Sequence, residues 1–212
     1  MTFLELCQRL REKAGIPGAG PSDVVAQSGE LGVLVNLIAQ AWLDIQNLHT
    51  TWHFLWTSGG EITVVPGGGP YNVANFKKFA TRPVIDGTDW LTERDYYDYK
   101  AQYDVSTVTT GRPTYIMVQP DRKIIFETNP GQNHTVTFDY FRTPQELTAA
   151  ADVPLAPARH HMAIVWLALL RYAEGEEAGN LVQTAQLEYR KALASLQMDQ
   201  LPKVHLQRLT FA

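Results

Sequence analysis

The chain is poor in cysteine, in charge and in long apolar runs, and each shortage narrows what it can be. Cys7 is the single cysteine among 212 residues, so neither an intrachain disulfide nor a cysteine-rich zinc site can form, and the chain is compatible with a reducing compartment. Lysine and arginine number 18 against 22 acidic residues, a formal charge of -4. No global basic field is available to condense onto phosphates, the interaction that dominates non-specific nucleic-acid binding, and sequence-reading DNA or RNA binding is disfavoured. The most apolar stretch, Met162 to Leu170, is about half of the ~20 residues a membrane-crossing helix needs, and His161 and Arg171 flank it. Met1 to Glu5 lacks the basic and apolar regions of a secretory leader, so export is not expected. What is present, 45% hydrophobic residues in a chain of this length, suffices for one good core.

The order of periodic segments predicts helices at both ends and strands between them. Thr2-Phe3-Leu4-Glu5 has the spacing of a capping box, and Leu6, Cys7 and Leu10 follow on one face before glycines and prolines from Gly15 to Pro21 end the run. Ser28 is placed to cap a longer helix whose apolar stripe continues from Leu31 through Ile45 to Trp52 and Leu55. After Ser58-Gly59-Gly60 the residues become β-branched, and Pro66 to Pro70 predicts an exposed loop. Thr92 to Tyr103 reads as a short tyrosine-rich helix. Thr114–Gln119, Arg122–Thr128 and Thr135–Arg142 read as an antiparallel meander. Helical pattern returns from Pro157 to Arg171 and again after Gly179 with Leu181, Ala185, Tyr189, Ala192 and Leu196, which predicts a hairpin.

The expected fold class is therefore α+β: mainly an α-helical bundle built from both chain ends, with an inserted small antiparallel β-rich region and an extended C-terminal tail. The segments are residues 1–58 for the N-terminal helices, 59–149 for the β-rich insertion, 150–200 for the helical hairpin and 201–212 for the tail. That tail, with Lys203, Val204, His205, Leu206, Gln207, Arg208, Leu209 and Phe211, is too short to make its own core yet carries apolar side chains. Such a segment can add a strand to a sheet edge or set anchors into a groove of another subunit; a frayed terminus is the plainer reading. Aromatics crowd around Trp42, Trp52, Phe54 and Trp56 on more than one helix face. Core packing accounts for them, as does burial between subunits, which would place Trp52, Phe54 and Trp56, with Arg159 and His160, at an interface.

The search for chemistry finds fragments. His49 and His53 have the i, i+4 spacing of zinc proteases, but Thr50 stands where the general-base glutamate belongs and no third ligand is named. His160 and His161 are adjacent and point apart. Glu174, Glu176 and Glu177 read as a solvated helix end, with an acidic channel face as the alternative. Gly15 to Gly20 lacks the Gly-Lys-Ser/Thr of a phosphate loop and follows a helix, not a strand; there is no Gly-x-Ser-x-Gly elbow, and Cys7 reads as core. No catalytic residue, metal site or cofactor is expected.

From Gly111 onward, Gly-Arg-Pro-Thr-Tyr-Ile, Pro120-Asp-Arg-Lys-Ile-Ile-Phe, Thr135-Val-Thr-Phe-Asp-Tyr-Phe-Arg-Thr-Pro and Val153-Pro-Leu-Ala-Pro-Ala-Arg-His-His succeed one another. In that order they resemble the head-to-tail adaptor (connector) family of tailed bacteriophages. Phe3 to Leu10 and the Trp42 and Trp52-His-Phe-Leu-Trp segment are similar to the same family, so the resemblance spans nearly the whole chain. It implies a structural virion protein, not an enzyme, assembled in the host cytoplasm and forming a ring, twelve-fold in the family, under the portal protein. The ring would continue the DNA channel, pass genomic DNA without sequence-specific binding, receive tail or nozzle proteins, and touch no membrane. The family's C-terminal extension docks onto the portal or a neighbouring subunit, a role that falls here to Lys203 through Ala212. A mildly acidic lumen would let DNA slide, and a closed ring demands heterologous contacts between neighbouring subunits. A tail-terminator or other tail ring is the competing expectation; a metal-dependent enzyme resting on His49, His53, His160 and His161 is the remaining one.

Overall fold

The computed structural model describes residues 1–102 and 109–203. In chain order the elements are helices α1 (Phe3–Ala14) and α2 (Gly29–Leu48), strands β1 (Trp56–Val64), β2 (Phe76–Phe79), β3 (Val84–Ile85), β4 (Asp89–Trp90) and β5 (Thr92–Arg94), helix α3 (Tyr96–Gln102), strands β6 (Tyr115–Val118), β7 (Ile124–Phe126) and β8 (His134–Arg142), and helices α4 (Met162–Gly175) and α5 (Gly179–Gln200). Short 3-10 turns cover His53–Leu55 and Ala158–His160. The class is mixed α+β. Two compact units divide the chain: Met1–Phe54 with Pro144–Ala212, and Leu55–Thr143.

In the first unit α4 touches α1, α2 and α5. It has apolar residues on most of its circumference, so Ala163, Ile164, Val165, Leu167, Ala168, Leu169 and Ala173 are all buried. α1 begins with the capping box, Thr2 and Glu5 each bonding the other's backbone N–H, and ends on Gly15 at φ 71°, a left-handed cap that glycine takes without a Cβ penalty. Two of the free N–H groups in its first turn donate to the 150–152 segment, Phe3 to the Asp152 carbonyl at 2.7 Å and Leu4 to that of Ala150 at 3.2 Å. Gln46 is fully buried in α2 and completes a second tie: its Oε1 accepts the Gln145 N–H at 2.7 Å and its Nε2 donates to the Gln145 carbonyl at 2.9 Å. A buried amide whose polar atoms are all engaged carries no desolvation penalty left unpaid by bonding. Trp42 donates its indole N–H to the Gln145 side chain at 3.2 Å.

The helical stripe expected to run to Leu55 stops earlier. α2 ends at Leu48, and its C-cap His49 is extended at φ −139° and ψ 139°. Trp52 folds back so that its indole N–H donates to the Ile45 carbonyl at 3.0 Å, which satisfies one of the last carbonyls that a helix leaves unpaired. Ser28 does occupy the N-cap of α2, without a side-chain capping bond. Pro157 opens a 3-10 turn, and the α-helix proper starts only at Met162.

In the second unit β8 is central to a five-stranded sheet, with β1 along one side and β2 and β3 sharing the other; β4 pairs with β3. All of these pairs are antiparallel. The expected meander is split: β6 and β7 form a hairpin in a separate three-stranded sheet, where β5 joins β6 in parallel, and β8 belongs to the larger sheet. The reason lies in length and alternation, since the nine residues of β8 match the nine of β1, and each strand turns alternate residues inward. Ile62, Val64, Phe76, Phe79, Ile85, Leu91, Ile116, Ile124, Val136 and Phe138 make one apolar cluster fed by both sheets. Gly59 and Gly60, read as a breaker before the strand, lie inside β1 at a register irregularity. A Cβ at Gly60 would stand 2.6 Å from the Phe138 ring, so only glycine fits there. The two compact units meet in sequence at Phe54/Leu55 and Thr143/Pro144.

Candidate assembly surface

The first unit offers an end where exposed apolar side chains and the exit of the tail coincide. α5 has 22 residues, of which only Ala185 and Leu196 are buried. Near its C-terminus Met198 is 82% exposed, and at the C-terminus of α2 Leu48 is 49% exposed. The two helix ends are joined by the Gln197 amide against His49 Nε2 at 3.0 Å, and His49 meets the Trp52 ring edge-on at 5.0 Å. One carboxylate oxygen secures the last turn of α5: Asp199 Oδ2 receives Arg159 Nη2 at 2.6 Å, Gln200 Nε2 at 2.8 Å and His160 Nε2 at 3.0 Å. The hydrogen bonds from Gln200, Arg159 and His160 hold the Asp199 carboxyl well below the usual carboxylate range. The chain then leaves in extended form through Leu201, at φ −102° and ψ 149°, into Pro202 and the exposed Lys203.

The expected docking residues beyond Lys203, namely Val204, His205, Leu206, Gln207, Arg208, Leu209 and Phe211, lie outside the described residues. Of the five side chains expected at a subunit interface, Trp52, Phe54, Arg159 and His160 lie in the first unit and Trp56 in the second. Trp52 is fully buried, and Phe54 is half-buried, its ring 5.5 Å from that of Trp42 and 5.3 Å from that of Trp52. Both belong to the packing of the first unit, because the break after Leu48 turns the Trp52 indole inward. Trp56 opens β1 in the second unit and is 46% exposed. Arg159 and His160 are committed to Asp199 within the chain.

The histidines do not converge. With His49 extended and His53 in a 3-10 turn, the helix face they were expected to share does not exist. His161 is buried, its ring against the Ala156 carbonyl at 2.8 Å, and burial lowers its pKa. Among the described residues no group of three or more His, Cys, Asp or Glu is placed to hold a metal ion. Burial pushes the Cys7 thiol up to about 12, so at neutral pH it is a core side chain with little thiolate character. No described helix is long and apolar enough to cross a membrane.

The second unit carries surfaces of another kind. Trp90 is 58% and Tyr97 68% exposed. An open pocket of about 400 Å³ is lined by the Gly67–Pro70 loop, Tyr71, Tyr99, Phe126 and Pro130. A polar network pins the 85–89 turn: His134 Nδ1 lies 2.7 Å from Asp86 Oδ2, the Thr135 N–H donates to Asp86 Oδ1 at 3.0 Å, and Arg112 bridges Asp86 and Asp89 at 3.3 and 2.5 Å. The His134 and Thr135 hydrogen bonds lead in lowering the Asp86 pKa. These groups can stiffen a turn and present aromatics to a partner. Sequence reasoning passed over Leu48, Met198, Trp90 and Asp199. Met198 sits one step off the α5 stripe and could have been found by projecting that stripe onto a helical wheel; Asp199 reads locally as an ordinary surface charge.

A family model described as SU10 adaptor protein matches residues 1–208. No curated protein matches the chain.

Proposed function

From the premise that the chain belongs to the SU10 adaptor protein family, a structural family of the phage head–tail region, we propose that it is the ring subunit joining portal to tail. In this reading identical subunits meet through unlike faces and close a ring, twelve-fold to match the portal. The ring extends the DNA channel and offers its far side to tail or nozzle proteins. The observation that carries the reading is the end of the first unit, where Leu48 and Met198 are exposed beside the exit of a tail that bears Val204, Leu206, Leu209 and Phe211. Exposed apolar side chains at helix ends are what a partner can bury, and the tail supplies anchors for a groove or sheet edge on the portal or a neighbouring subunit. An acidic net charge supports passage of DNA without adhesion.

The test mixes the purified chain with the portal ring of its own phage and measures the mass of the product, alongside a chain truncated after Leu201. A stoichiometric complex with the full chain alone is the expected result. Failure of both proteins to bind, with rings formed alone or complexes formed with tail proteins, would move the chain to a tail-terminator or other tail role.

A further inference from the structure

We propose that Asp199 is a positioning residue for the docking tail: together with Arg159 and His160 it holds the last turn of α5 so that the tail leaves from a fixed point in a fixed direction. The inference rests on the tail-docking reading above and deepens it.

The starting point is a local rule broken. Carbonyl groups make a helix C-terminus negative, so carboxylates are disfavoured there and cations favoured. The last turn of α5 has no basic residue and does have Asp199. The unfavourable charge is offset from outside the helix by the Arg159 guanidinium at 2.6 Å, and the His160 ring lies 3.0 Å from the same oxygen. His160 is itself buried, its side chain only 5% exposed, so the oxygen is held against a fixed wall of the fold. Departures from local preference with a specific long-range compensation are expected where position matters.

The next step concerns what the clamp controls. Leu196 is the last buried residue of α5, and four residues lie between it and Leu201. Terminal helix turns fray unless tied, and the ties here are the Asp199 cluster and the contact of Gln197 with His49. Leu201 is extended, and Pro202 after it disfavours the helical alternative for that residue. The clamp fixes the origin of the exit and the proline fixes its direction. A tethered segment binds better when its origin is fixed, because less conformational freedom remains to be lost and its effective concentration at the site is higher.

The experiment compares binding to the portal ring of four proteins: the full chain, Asp199→Asn, the chain truncated after Leu201, and the truncated chain carrying Asp199→Asn. Hydrogen exchange of the amides from Gln197 to Leu201 is measured in parallel. The expected result is binding weakened about tenfold by Asp199→Asn in the full chain, no further weakening by the same change in the truncated chain, and faster exchange in the last turn alone. Arg159→Gln, which spares the buried His160, should weaken full-chain binding by roughly threefold and serves if Asp199→Asn fails to fold. Full-strength binding by a folded Asp199→Asn or Arg159→Gln chain, while truncation abolishes it, overturns the positioning role and leaves tail docking standing. Weakened binding of a folded Asp199→Asn chain with unchanged exchange from Gln197 to Leu201 assigns Asp199 to a direct contact and also overturns it. If truncation has no effect, tail docking itself falls and the inference falls with it.

Discussion

α4 and α5 are consecutive helices of one unit that pack against each other, yet they are used in opposite ways. α4 buries seven of its 14 residues, and α5 buries two of 22. An isolated chain gains its stability from the first and leaves the second as a long, half-committed surface ending in Met198, Asp199 and the tail exit. The contrast teaches that folding and display are divided between elements: a helix apolar on most sides makes the core, and a helix with a narrow apolar stripe is held by that core and presents the rest of itself.

The sharpest way to break the contrast is to cut equal amounts of side chain from each helix. Leu169→Ala in α4, where Leu169 is 1% exposed, should cost about 3 kcal/mol in denaturant unfolding. Leu187→Ala in α5, where Leu187 is 55% exposed, should stay within about 0.5 kcal/mol. Equal losses would mean that α5 is as much core as α4. Gln46→Leu should come next at roughly 2 kcal/mol, because the half-buried Gln145 N–H and carbonyl would lose their partner; calorimetry of the purified variant gives the value.

A smaller effect is expected on acidification. The Asp199 pKa is depressed in the folded chain, so its ion cluster stabilises at pH values above the unfolded carboxyl's, about 3.9, and is lost as pH falls through the lower folded value. Comparing thermal midpoints from about pH 6 down to about pH 2, the advantage of the parent over Asp199→Asn should shrink with acid. A constant gap would show that the charge is irrelevant to the clamp. The smallest stability change belongs to Met198→Ser, within about 0.5 kcal/mol, although binding to the portal ring should weaken roughly tenfold. Loss of stability without loss of binding would place Met198 among the packing residues and erase the distinction between the helices.

Much of the architecture was legible because its causes are local. The capping box at Thr2 and Glu5, the glycine stop at Gly15, the α5 stripe and the alternation of β8 are written within a few residues of where they act. The errors also have local form. The apolar stripe of α2 continues in register through Trp52 and Leu55, and periodicity alone has no means of seeing that the Trp52 indole prefers the Ile45 carbonyl to another helical turn. Glycines read as a boundary were required instead by the Phe138 ring lying across Gly60. Of the proposed assembly surface, the tail was visible as apolar residues after a proline, whereas Leu48 looked like an ordinary member of the α2 stripe and Met198 fell just outside that of α5.

By itself, then, the sequence determined the mixed class, the principal helices and the alternating central strand, since hydrophobic period and capping chemistry operate over a few residues. Tertiary structure alone decided which distant groups meet. Gln46 pairs with Gln145 across 99 positions, Arg159 with Asp199 across 40, and His134 with Asp86 across 48. Such pairs carry no periodic signature, because any acceptor within reach would satisfy the same donor, and reach is set only when the chain has folded.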